Sequence, residues 1–153
     1  MDSKKNIDAV YFDMDGTIAD LYGQQDWLTN LRAENPKPYI NAEPMVDMVA
    51  LSNVIKRLQK QGVKVGVISW LSMYSSKEYK RKVRNAKRAW LKKHLSVDFD
   101  FIHLVQYGTP KHKVAKIKNS IIIDDDDKVL SSWKGMTINA RYEWLNPLIE
   151  MTT

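Results

Sequence analysis

Residues 10–17 read Val10-Tyr11-Phe12-Asp13-Met14-Asp15-Gly16-Thr17. The apolar run ending at Phe12 has the length and composition of a buried strand, and it stops at two carboxylates and a Gly-Thr pair suited to a turn. Four further short apolar runs bounded by breakers repeat the first half of this pattern, at 63–68, 101–107, 121–123 and 136–139, and the first strand is expected at 7–12. Between these runs the apolar period changes to that of helices. Residues 24–33 carry Trp27, Leu28 and Leu31; 46–61 carry Val46, Val49, Ala50, Val54 and Leu58; 77–95 place Tyr79, Val83, Ala86 and Trp90 on one face. Shorter helices are expected at 112–118 and 128–133. Strands alternating with helices build βαβ units, hence a parallel sheet covered on both sides, and the class is α/β.

Punctuation agrees with this layout. Asn35-Pro36-Lys37-Pro38 is expected to end the first helix, Gly62 to follow the second, and Gly108-Thr109-Pro110 to separate the third strand from its helix. A chain of 153 residues, 44% hydrophobic and 27% charged, with five Trp and seven Tyr, is expected to form one folded domain over 1–153. The absence of cysteine excludes a disulfide scaffold, thiolate metal ligation and a Cys nucleophile, and fits a reducing compartment. Residues 1–6 are charged, the apolar stretch after them is broken by Asp8, Asp13 and Asp15, and no run approaches a membrane span. A cytoplasmic protein without membrane contact is the expectation.

The net charge of +6 is unevenly spread. Residues 77–93 hold nine basic side chains against Glu78 alone, and the remaining 15 basic and 17 acidic residues leave the rest of the chain slightly acidic. A polyanion would be drawn to that one helix first. Its Lys/Arg face has two readings, a solvated surface or a surface that steers a phosphorylated partner.

In open parallel sheets ligands bind beyond the carboxyl ends of the strands. The residues there are Asp13 to Thr17, then Ser69-Trp70, then the region of Lys111 and Lys113, then the four aspartates 124–127. Carboxylates to hold a divalent cation, one carboxylate to attack, and hydroxyl and ammonium donors for phosphate oxygens make up an inventory for phosphoryl transfer. Asp126 or Asp127 is expected to cap the helix starting near Lys128 instead of binding a metal.

These four segments, in this order and strand context, resemble the four motifs of the haloacid dehalogenase-like phosphatases. The resemblance rests on Asp13-Met14-Asp15-Gly16-Thr17, on Ser69 after Val65-Gly66-Val67-Ile68, on Lys111 or Lys113, with Lys111 closer to its strand, and on Ile121-Ile122-Ile123-Asp124-Asp125. It implies a Rossmann-like three-layer sandwich around a five-stranded parallel sheet. It also implies a Mg²⁺-dependent phosphomonoesterase in which Asp13 is the nucleophile and Asp15 the general acid and base. The metal would be held by Asp13, Asp15 through its backbone carbonyl, and Asp124, with Asp125 nearby or acting through water. Phosphoryl oxygens would be bound by Ser69, Lys111 and the segments around Trp70 and Gly16-Thr17.

Members of this family differ in the cap over the site. Here only about 27 residues separate Thr17 from the helix near Met45, so a minimal cap insert at about 18–44 and an open site are expected. Trp70 either stacks on a base or sugar or packs under its loop. Tyr22, Trp27 and Tyr39 either line the entrance or form the insert's own small core. The short aromatic insert and the run into Ala19-Asp20-Leu21 also resemble the deoxyribonucleotidase branch, from which Ser69-Trp70 departs. Nucleotides or nucleic-acid 3′-phosphates are therefore the leading substrate class, so the partner is either a phosphorylated small molecule or a nucleic-acid end. A sugar- or metabolite-phosphate phosphatase is the alternative enzyme. A non-hydrolysing polyanion-binding protein is the alternative of another class, and the intact Asp13/Asp15 pair argues against it.

Overall fold

The computed structural model describes residues 7–153, and the charged residues 1–6 lie outside them. In chain order the elements are β1 (Ala9–Phe12), β2 (Ala19–Asp20), α1 (Trp27–Arg32), α2 (Lys37–Asn41), β3 (Glu43–Pro44), α3 (Met48–Lys60), β4 (Lys64–Trp70), α4 (Lys77–His94), β5 (Phe101–Val105), α5 (Lys111–Val114), β6 (Ser120–Asp124), α6 (Asp127–Ser132), β7 (Met136–Asn139) and α7 (Leu145–Thr152). All five strands expected from the apolar runs form one parallel sheet, ordered β5-β4-β1-β6-β7. Helices cover both of its sides, giving the three-layer α/β sandwich.

Alternation along β1 divides the core. Val10 and Phe12 pack into the larger cluster with Leu51, Ile55 and Leu58 of α3, Val83 and Trp90 of α4, and Leu148 of α7. Ala9 and Tyr11 join the smaller cluster, covered by Ala115, Val129 and Trp133. Gly66 makes the second face possible. It pairs with Tyr11 on one side and Phe101 on the other, whose rings stack with centroids 6.2 Å apart, and a Cβ at Gly66 would meet Phe101 Cβ at 3.0 Å.

Helix ends follow local chemistry. Asp47 Oδ1 accepts from the Val49 and Ala50 amides at the start of α3, and Ser76 Oγ accepts from the Tyr79 amide at the start of α4. Gly62 follows α3 at φ +86°, in the region that favours glycine. Two helices depart from the sequence reading. The Pro36-Pro38 segment, expected only to end a helix, opens α2, because a proline in a first turn loses no intrahelical bond and has its φ already set. The α7 helix, absent from the sequence reading, starts where Glu143 accepts from the Leu145 and Asn146 amides, with Pro147 in its first turn. The α1 helix is shorter than the 24–33 stretch and buries none of its residues. The insert also pairs β2 with β3, a two-residue ladder with no apolar run to announce it. Among the described residues no helix is long and apolar enough to cross a membrane.

Candidate active site

The site stands at the carboxyl ends of β1, β4 and β6. The Asp13 amide donates to the Ile123 carbonyl (3.0 Å), which seats Asp13 beside the end of β6 and Asp124. The chain then folds back tightly, with the Met14 carbonyl accepting from the Thr17, Ile18 and Ala19 amides. Gly16 takes φ +82° within this turn, and a Cβ there would run into the Asp125 carboxylate. Thr17 is fully buried, and its hydroxyl donates to Asp13 Oδ2 at 3.1 Å. Its hydroxyl is thus committed to orienting Asp13.

Lys111, at the start of α5, is buried, and its Nζ donates to Asp13 Oδ1 (2.9 Å) and Asp124 Oδ2 (2.7 Å). Both oxygens of Asp13 are therefore held. Lys113, the other candidate, is exposed. The carboxylates of Asp13, Asp124 and Asp125 offer one ligand atom each within 4.8 Å of one another. Burial, followed by the charge of Asp13, pushes the Asp124 carboxyl up to about 6 and the Asp125 carboxyl up to about 7. Three crowded carboxylates, two of them bonded to one ammonium, suit a hard divalent cation such as Mg²⁺, which takes oxygen ligands and offsets their mutual repulsion. Asp126 instead caps α6, with Oδ1 accepting from the Lys128 and Val129 amides, and Asp127 pairs with Arg141 at the surface.

Asp15 is tied to a residue that the sequence reading assigned to the exposed basic face of 77–93. Lys87 lies inside α4's apolar stripe, four residues after Val83 and three before Trp90, and is buried. Its Nζ donates to Asp15 Oδ2, Ser69 Oγ and the Trp70 carbonyl, each at 2.7 Å. A polar residue embedded in an apolar helical stripe was the available signal. Burial raises the Asp15 carboxyl above its ordinary range, opposed by the charge and hydrogen bond of Lys87. Neither partner is dispensable, since stripping one member from a buried ion pair costs about 3–5 kcal/mol.

Above these groups opens a cavity of about 660 Å³, whose lining includes Asp13, Asp15, Lys111, Asp124 and Asp125. Ser69 and Thr17 are buried side chains outside that lining. Trp70 packs under its neighbouring loop, its indole N–H donating to the Thr109 carbonyl (2.8 Å), and its ring also lines the cavity, with Lys111 Nζ 5.2 Å from the ring centroid. Tyr107 packs on Trp70 at 5.0 Å between centroids, and across the insert Tyr22 packs on Trp27 at 5.1 Å. All four rings line the cavity, as does Tyr39, which is itself buried in the main core.

Comparison with solved structures shows the fold. D,D-heptose 1,7-bisphosphate phosphatase from Burkholderia thailandensis superposes on 83% of this chain and 74% of its own with a TM-score of 0.50 and 14% identity. The chain has the haloacid dehalogenase-like fold. An uncharacterised protein from Corynebacterium glutamicum also matches, over 94% of this chain and 90% of its own, at a TM-score of 0.47 and 11% identity. No protein-family model matches the sequence, and no curated protein matches it.

Proposed function

We propose that this protein is a Mg²⁺-dependent phosphomonoesterase that works through an aspartyl-phosphate and acts on nucleotides or nucleic-acid 3′-phosphates. The observation that carries the reading is the convergence of Asp13, Asp15, Lys111 and Asp124 on one cavity at the end of the sheet. The phosphatase named among the structural neighbours shares the fold, which agrees with the reading without extending its own substrate to this chain.

In the proposed reaction an Asp13 carboxylate oxygen attacks phosphorus, the bond from phosphorus to the ester oxygen breaks, and Asp15 gives its proton to the departing oxygen. Water then attacks the Asp13-bound phosphoryl group while Asp15 takes the water's proton, and the oxygen–phosphorus bond to Asp13 breaks to release inorganic phosphate. Lys111 and the Ser69 hydroxyl stabilise the charge on the phosphoryl oxygens. Asp13, Asp124, Asp125 and the Asp15 backbone carbonyl are the groups that would hold the cation, which when bound offsets charge between carboxylates and phosphoryl oxygens. The aromatic walls supply stacking area for a flat heterocycle, which supports a nucleoside as the leaving group. A cytoplasmic setting, where nucleotides are plentiful, belongs to the same reading.

The test is a panel of phosphate esters that includes nucleotides, 3′-phosphorylated oligonucleotides and sugar phosphates, assayed with Mg²⁺ and with chelator. Hydrolysis is expected with Mg²⁺ alone, and none with Asp13→Asn. Wild-type turnover by Asp13→Asn, or in excess chelator, overturns the mechanism.

A further inference from the structure

We infer that Lys87 is a positioning residue that holds the proton-transferring carboxylate of Asp15 and the phosphate-binding hydroxyl of Ser69 in register. The inference rests on the phosphomonoesterase reading and deepens it.

An ammonium has three protons, and Lys87 directs its donors to three oxygens: Asp15 Oδ2, Ser69 Oγ and the Trp70 carbonyl. No donor is left for a substrate oxygen, whereas Lys111 spends two of its three on Asp13 and Asp124. Lys87 therefore acts through its neighbours. With Oδ2 of Asp15 fixed, proton transfer falls to Oδ1. With Ser69 Oγ accepting from Lys87, the hydroxyl proton of Ser69 is directed away from Lys87 and is free to donate to a phosphoryl oxygen. One side chain thus sets both the acid and a phosphate donor.

The base of that side chain is anchored on the insert. Tyr79, two turns earlier on α4, donates from its hydroxyl to the Asn35 carbonyl (3.0 Å), and Trp90, three residues later, donates from its indole to the Ala42 carbonyl (2.8 Å). Glu34 accepts from the amide and hydroxyl of Ser76 at the helix start, and the Tyr39 ring lies 5.4 Å from Lys87 Nζ. Stability alone does not account for a lysine here. A buried ion pair is commonly no better for stability than apolar residues of similar volume, and the positions around Lys87 in this stripe are Val83, Ala86 and Trp90.

The experiment pairs two esters of similar size with Mg²⁺ present: p-nitrophenyl phosphate, whose leaving group needs little protonation, and phenylethyl phosphate, whose alkoxide leaving group needs an acid. Lys87→Met keeps most of the stem and removes the charge. Its kcat/KM is expected to fall at least about 10²-fold on phenylethyl phosphate, within the range for loss of general acid catalysis, and far less on the nitrophenyl ester. Because Asp15 also serves as base in the second step, a burst of nitrophenol is expected in this variant beyond any shown by the wild type. Thermal unfolding shows whether the variant is folded. If it is not, Lys87→Arg carries the same comparison, since its planar fork cannot place three bonds at one point. Equal losses on both esters without a burst, or wild-type kinetics, overturn the role of Lys87 while leaving the phosphatase reading standing. A wild type inactive on both esters and on the substrate panel overturns the phosphatase reading and the Lys87 role with it.

Discussion

Burial and the charge of Asp13 hold the Asp125 carboxyl at about 7, above the ordinary aspartate value near 4. A group whose pKa is higher in the folded chain than in the unfolded one adds stability below the unfolded value and loses it as pH rises through the folded value. Protein kept in chelator should therefore show a Tm that declines between about pH 4 and 7, and Mg²⁺ should raise Tm most at the upper end of that window. A Tm that is indifferent to Mg²⁺ at pH 8 would count against the three-carboxylate site. Asp13, Asp15 and Asp124 were legible in the sequence because Asp13 and Asp124 follow apolar runs directly and Asp15 comes two residues after Asp13, so chain position alone sets them at one edge of the sheet. Lys87 was not, because its neighbours in space come from the turn after β1 and from β4, and the surrounding run of surface lysines and arginines hides one that points inward.

The exposed side of α4 is a separate matter from its buried one. Lys80, Arg84 and Arg88, spaced four apart, share a helical face, with Arg88 exposed and the other two partly so. If that face steers polyanions, kcat/KM on a 3′-phosphorylated oligonucleotide should fall steeply with salt, and charge reversal at these three positions should flatten the slope while a small phosphate ester with an uncharged leaving group responds far less. Equal slopes for wild type and variant would make the face a solvated surface. Lys87, three residues after Arg84 but buried, has to be left intact in this variant. Long periodic helices such as α3 and α4 were readable to within about two residues. The α2 and α7 helices were not, because each carries a proline in its first turn, and a proline there is equally a stop for one helix and a start for the next.

Across the whole molecule the two sides of the sheet are unequal. One is covered by α3 and α4, of 13 and 18 residues, together with α7; the other carries α5 and α6, of four and six residues. The class and strand content were legible from alternation, whereas this imbalance depends on how far each connection stays helical, which tertiary packing decides. It bears on the order of events in refolding. Helices of four to six residues have no standing by themselves in water, since isolated helices shorter than about 12 residues are marginal. They form only against a sheet already in place, and Lys111 rides on the shortest of them. After dilution from denaturant, helical circular dichroism should return first and Mg²⁺-dependent turnover later, with simultaneous recovery as the contrary result. For an interval the chain would possess its fold and its acids while lacking the ammonium between them, so catalytic competence would have its own clock, set by one turn of helix.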